Sequence, residues 1–153
     1  MHKFVQGSQS EPAAGVEISF VPSESESFRL LTLHAQLKTS AVVSYRYPHF
    51  KFVATSGEVL HEVTDGNGVA ANNTVQYDLA GGGGNSGSPG YLNNSVVANP
   101  LPDFWWPAGT RIVTVTAGLD VGDQWSNIVF CSLVGDEYEH LRWLEKIASQ
   151  IGG

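Results

Sequence analysis

Phe28-Arg-Leu-Leu-Thr-Leu-His-Ala-Gln-Leu37 carries the clearest periodic signal in the chain. Leu31, Leu33, Ala35 and Leu37 alternate with Leu30, Thr32, His34 and Gln36. Successive side chains of a strand point to opposite faces, so the segment predicts a half-buried strand whose Leu31-Leu33-Ala35-Leu37 face meets a core. Before it, Val16-Glu-Ile-Ser-Phe-Val21 predicts a strand, and Pro22-Ser-Glu-Ser-Glu-Ser27 a turn. After it, Ala41-Val-Val-Ser-Tyr-Arg-Tyr47 predicts another strand, broken by Pro48, which has no N–H for a ladder and belongs at an edge or turn. Phe50–Ala54 and Glu58–Val63 flank Thr55-Ser-Gly57 as a hairpin, and Asp65-Gly-Asn-Gly68 is a turn by composition.

Further strands are expected at Thr74–Leu79, Arg111–Ala117 and Ser126–Val134, the last apolar on both faces as for a central strand. Residues 1–15 read as a flexible polar arm. Residues 80–102, opening on Gly81 to Gly84, read as a long loop with a short strand at Ser95–Ala98. Residues 135–153 read as a helix and tail, with Asp136 and Glu139 as a capping pair. Leu141, Leu144, Ile147, Ala148 and Ile151 form its apolar stripe. The expected fold is therefore all-β, an antiparallel β-sandwich of jelly-roll type over residues 16–134, closed by one C-terminal amphipathic helix.

Composition narrows function. Of 153 residues 42% are hydrophobic and only 15% charged, against about one quarter charged in an average domain. A surface so poor in charge suits contact with other proteins. Eight Lys plus Arg against fifteen Asp plus Glu give a net charge of −7. Lys38, Arg46 and Lys51 are scattered, so no basic stripe is expected for nucleic acid. No apolar run approaches the ~20 residues of a membrane helix, and no signal-peptide pattern opens the chain, so a protein made in the cytosol with no membrane partner is expected. Cys131, the one cysteine, lies in an apolar run and reads as a buried inert thiol.

Gly84-Asn-Ser-Gly-Ser-Pro89 is similar to the nucleophile segment of chymotrypsin-fold proteases, with Ser86 as nucleophile. Such an enzyme needs a histidine base and an orienting carboxylate. His34, His49 and His61, with Asp65 and Asp78, precede the serine, but none stands in a matching context, and too few residues precede Ser86 for a first barrel. The Gly run lacks the Lys-Ser/Thr of a phosphate loop. The five histidines show no ligand spacing, and Asp120 and Asp123 read as turn formers. No catalytic residue, metal or cofactor is therefore expected. Tyr91, Trp105, Trp106 and Trp125 could offer aromatic faces, yet adjacent strand residues point to opposite sides, so at most one of Trp105 and Trp106 faces outward. Core or interface roles are expected of them ahead of a sugar platform.

The order of several segments resembles a group of small β-sandwich proteins encoded among the virion-structure genes of tailed bacteriophages. The resemblance rests on Arg29-Leu-Leu-Thr-Leu33 before Thr39-Ser-Ala41, Arg46-Tyr-Pro48, Thr74-Val-Gln-Tyr77, Pro100-Leu-Pro102, Pro107-Ala-Gly-Thr110 and Ala117-Gly-Leu119. Its most specific part is Gly122-Asp-Gln-Trp-Ser-Asn-Ile128. Together these span about residues 16 to 134, and the Gly81–Gly90 segment and the 136–150 helix depart from the pattern. The resemblance implies a non-enzymatic virion component, a capsid decoration or cement protein that binds the major capsid protein and its own copies, with a trimer as the expected order. Leu141, Leu144, Ile147, Ile151, Trp105, Trp106 and Tyr91 are then the interface candidates. A carbohydrate-binding or host-receptor module of a phage tail or head fibre is the alternative.

Overall fold

The computed structural model describes residues 2–64, 66–81, 86–87, 95–135 and 146–151. Its strands are β1 (Lys3–Gln9), β2 (Ser19–Phe20), β3 (Ser27–Lys38), β4 (Tyr47–Val53), β5 (Val59–Val63), β6 (Thr74–Gly81), β7 (Ser86–Gly87), β8 (Ser95–Leu101), β9 (Arg111–Ala117) and β10 (Gln124–Gly135). One sheet runs β1-β10-β3-β6-β8-β7 and the other β2-β9-β4-β5. Four antiparallel pairs are nested: β4 with β5, β3 with β6, β2 with β9 and β1 with β10. The chain is a long hairpin with its tip at residues 54–58, rolled into two facing sheets, which is the jelly-roll arrangement expected from the sequence. Among the described residues the one parallel pair, β6 with β8, belongs to an insertion between β6 and β9 that extends the first sheet with β8 and β7.

Several expectations shift in detail. Lys3–Gln9, expected within a flexible arm, pairs with β10 along seven residues as the outermost strand of the roll. Its polar sequence hid it because only alternate residues, chiefly Val5, pack on the core. Of the Val16–Val21 strand, only Ser19–Phe20 pairs with β9. Ala41–Tyr45 is a loop, and the following strand starts at Tyr47 and runs through Pro48. Pro48 costs the sheet no bond. Its neighbour across β9, Thr116, sends its N–H to Glu17, and the Pro48 carbonyl accepts from the Thr64 hydroxyl beyond the end of β5. The helix is described over residues 146–151; Asp136, Glu139, Leu141 and Leu144 lie outside the described residues.

The half-buried strand over residues 28–37 is β3, but its inward face is Phe28, Leu30, Leu33, Ala35 and Leu37. The β3–β10 register shifts between Cys131 and Ser132, with Leu31 the extra residue on β3, so Leu30 and not Leu31 faces inward. A bulge reverses the phase of the alternation, which no local pattern reveals. A second shift between Ser126 and Val129 adds one residue to β10, where Asn127 takes φ 51° and Trp125 and Ile128 both stay buried.

Between the sheets, Phe50 of β4, Tyr77 of β6 and Trp125 of β10 form a triangle with ring centroids 5.5 to 5.8 Å apart. Each such pair adds about 0.5–1.5 kcal/mol beyond the area it buries. Glu17 joins the sheets in polar terms. Its carboxylate accepts the backbone N–H of Thr116 and the hydroxyls of Thr114 and Thr116 on β9, and the indole N–H of Trp125 on β10. The short β2 needs this anchor, having only two paired residues. Glu17→Ala leaves the Thr116 amide and the Trp125 indole without an acceptor. It is expected to cost about 2–3 kcal/mol of stability, with Glu17→Gln costing less, as read by urea unfolding with Trp fluorescence.

Candidate functional site

Successive connections of a jelly roll alternate between its two ends. The β1–β2, β3–β4, β5–β6 and β9–β10 connections meet at one end, stitched by hydrogen bonds from Gly15 N to Asp123 O, Asn72 N to Ser40 O, and between Arg46 and Val69 in both directions. At its centre the Arg46 and Asp123 side chains are fully buried. Arg46 Nε and Nη2 donate to the two Asp123 carboxylate oxygens at 2.9 and 3.0 Å. Nη1 donates to the Val42 and Ser44 carbonyls, and Nη2 also to the Ser40 hydroxyl. All five guanidinium donors are thereby used. Asp123 accepts in addition from the backbone N–H groups of Ser40 and Asp120. Burial by itself would raise the Asp123 pKa, but the Arg46 hydrogen bonds, the two backbone donors and the Arg46 charge outweigh it, and the carboxyl is held below its ordinary value. Asp120 is lowered too, by the Gly122 backbone N–H and the Ser40 hydroxyl.

This network turns loop 40–46 inside out. Its carbonyls point at Arg46, and its side chains project into solvent: Val43 is 93% exposed, Val42 52% and Tyr45 59%. Val121, on the neighbouring turn held by Asp120 and Asp123, is 84% exposed. Tyr45 and Tyr47 pack beside Gly68, where a Cβ would press on both rings. Gly118, at φ 80°, leaves no room for a Cβ against the Tyr45 carbonyl. The result is an apolar crown on a hydrogen-bonded base, with Asp120 beside Val121. Its residues had read as a strand (41–47) and a turn (118–122). A valine run whose only charge is Arg46 was the signal available in the sequence.

A second surface lies at the other end, where Gly109 N bonds to Ser23 O. There a cleft of about 430 Å³ is lined by Leu60, His61, Pro102, Asp103, Phe104, Trp106 and Pro107. Trp106 is 4% exposed and bridges to Phe28, with its ring stacked on Phe52 at 4.4 Å and met edge-on by Phe104. The adjacent Trp105 is half-buried and packs against His2. Because Phe52 covers Trp106, that ring offers no open platform for a sugar. Ile151 is 81% exposed, Ile147 half-buried, and Tyr91 lies outside the described residues.

The histidines are less isolated than their spacing implied. His34 bonds Asp78 across β3–β6, and His49 bonds Glu62 across β4–β5. The His49 hydrogen bond, with the nearby His49 and Lys51 charges, lowers the Glu62 pKa. Register places His34, Asp78, Ala98 and Ser86 in one row across β3-β6-β8-β7. His34 and Ser86 are thus three strand spacings apart, about 14 Å, with the carboxylate between them. A serine–histidine relay needs the histidine in the middle, so this row does not supply one. Among the described residues no three His, Cys, Asp or Glu side chains group to hold a metal, and no helix is long and apolar enough to cross a membrane. Cys131 is half-buried, less enclosed than its apolar run implied.

No protein-family model matches the sequence, and no curated protein matches it. Among solved structures the chain is similar to the VP2 subviral particle of infectious bursal disease virus, with 17% identity and a TM-score of 0.30, covering 88% of this chain and 32% of that one. It is also similar to the Gx strain structure of that virus, at 19% identity and a TM-score of 0.29, covering 88% and 31%. The chain therefore spans about a third of the length of those proteins. The jelly-roll assignment stands on the nested strand pairing.

Removing one partner of the buried pair strands the other charge. Asp123→Asn is expected to cost about 3–5 kcal/mol, measured by urea unfolding. A carboxyl whose folded pKa lies below its unfolded value near 3.9 stabilises fully above that pH and ceases to as pH falls through the folded value. In the wild type, stability should hold down to about pH 4–5 and decline below it, and Asp123→Asn should flatten that acid limb.

Proposed function

We propose that this chain is a non-enzymatic structural component of a virion, a capsid decoration protein that docks on a capsid protein through the apolar crown. The jelly roll hosts capsid and lectin domains alike, so the surfaces must decide between them. The observation that carries the reading is the crown itself: Val42, Val43, Tyr45 and Val121 exposed on loops held by the buried Arg46–Asp123 network. Apolar side chains held in water favour a partner that covers them, and a preorganised loop loses little entropy when it docks.

Three of the segments that carry the resemblance to phage virion proteins supply the residues that hold the crown. Thr39-Ser-Ala41 contains Ser40, Arg46-Tyr-Pro48 contains the buried guanidinium, and Gly122-Asp-Gln-Trp-Ser-Asn-Ile128 contains Asp123. The shared motif is the bracket, and the exposed Val42, Val43 and Val121 are what it presents. Self-association of the chain, with a trimer as the expected order, belongs to the same reading, with Trp105 and the helix stripe through Ile147 and Ile151 as further contacts.

Particles produced with and without the gene for this chain provide the test. Purified protein should rebind particles that lack it. Val43→Asp should weaken rebinding roughly tenfold or more while changing unfolding stability by no more than about 0.5 kcal/mol, because Val43 makes no buried contact to lose. Absence of the chain from purified particles, or rebinding indifferent to Val43→Asp and Val121→Asp, counts against the proposal.

A further inference from the structure

The two sheets treat their corresponding edges differently. In the first, β8 and β7 continue the sheet beyond β6. In the second, among the described residues, β5 ends the sheet and pairs only with β4. An unpaired edge exposes a row of backbone donors and acceptors and templates pairing with another chain. Beside this edge lies the apolar cleft of Leu60, His61, Phe104 and Trp106.

A bulge makes edge and cleft one site. Phe52 pairs with His61 and Val53 with Val59, so Leu60 is an extra residue on β5. In a regular strand Leu60 and His61 would point to opposite faces; here both line the cleft. Leu60 is 42% exposed and Phe104 53%, so two apolar walls stand open to solvent next to unpaired backbone. Two exposed carboxylates stand near them: Glu58 immediately precedes β5, and Asp103, 72% exposed, sits at the cleft mouth, where it pairs with Arg29. Glu62, within β5, is engaged instead by His49 and Lys51.

We propose that β5 and this cleft form a peptide-binding site, in which an extended basic segment of another protein adds as a strand to β5 and seats one large apolar side chain between Leu60 and Phe104. Backbone pairing supplies affinity, and the pocket and carboxylates select the sequence. Because cleft and crown occupy opposite ends of the roll, the chain is bivalent, with one end for a folded surface and the other for an extended segment. The inference does not depend on the virion reading.

The probe is a short synthetic peptide that alternates Lys and Val around one central Phe, titrated into the full chain and followed by amide NMR shifts and calorimetry. Shift changes should concentrate on residues 58–63 and 102–107. Leu60→Asp should weaken binding roughly tenfold or more, and Phe104→Ala should do the same, each with an otherwise unchanged spectrum. N-methylation of alternate peptide amides should abolish binding, and replacing Lys by Glu should weaken it strongly. Val43→Asp should leave it intact, which separates this site from the crown. Binding of the N-methylated peptide at full strength overturns the proposal, as do shifts confined elsewhere or no binding at all. A dimer of this chain that Leu60→Asp dissolves overturns it too, by making a second copy the occupant of the edge.

Discussion

Arg46 and Asp123 impose the constraint on which one whole end of the roll depends. Each charge, taken from water alone, would cost several kcal/mol, and their attraction recovers this only when every remaining donor and acceptor is met. The geometry meets all of them: five guanidinium donors are placed, and each Asp123 oxygen accepts two bonds. So many simultaneous bonds to backbone groups of loops 40–46 and 118–123 have one satisfactory solution. The network also explains how an apolar loop can face outward. Loops are ordinarily pinned by burying their hydrophobic residues, but Val42 and Val43 point into solvent and Tyr45 is only partly covered, beside Gly68 and Tyr47. The polar interior of the loop pins it instead, which leaves its apolar exterior available for contact.

The same pair marks the limit of what the sequence displays. Periodicity was legible where it is local. Leu33, Ala35 and Leu37 face the core as alternation predicts, Arg111–Ala117 is β9 residue for residue, and the 54–58 turn joins β4 to β5. Nothing local tells that Arg46 and Asp123, seventy-seven positions apart, meet in the interior. Arg46 reads as a scattered cation and Asp123 as a turn former. Asp123 is indeed in a turn, and the second role appears only when nested pairing brings β3–β4 against β9–β10. Strand β1 was hidden for a related reason. An outer strand packs one side of its residues, so Val5 and the glycine opposite Phe130 face inward while Phe4 stays exposed, which leaves no apolar alternation to read.

For the candidate surfaces, legibility divides in the same way. Adjacency alone predicts that Trp105 and Trp106 differ in exposure, and Trp106 is buried while Trp105 is half-buried. That Trp106 would end stacked on Phe52 does not follow from it, because β4 and the 102–107 segment are remote in sequence. The Gly84–Pro89 hexamer shows the converse hazard: a strong local match whose partners are set by sheet order. Register puts Asp78 between His34 and Ser86, an order that no spacing along the chain could have revealed.

The three bulges obey one logic. On the facing strands β3 and β10 they are of opposite sense, one residue extra on β10 near Asn127 and one extra on β3 at Leu31. The surpluses cancel, so two twelve-residue strands stay aligned at both ends, Ser27 with Gly135 and Lys38 with Gln124. Each strand changes phase once, at its own bulge, and inward residues still meet inward residues between the bulges, Leu33 with Phe130. Bulges strengthen the local twist, which helps two long strands curl into a roll without losing register. The bulge in β5 has no counterpart on a further strand because β5 is the edge. Its extra residue therefore cannot be absorbed by the sheet, and Leu60 emerges as the wall of the cleft.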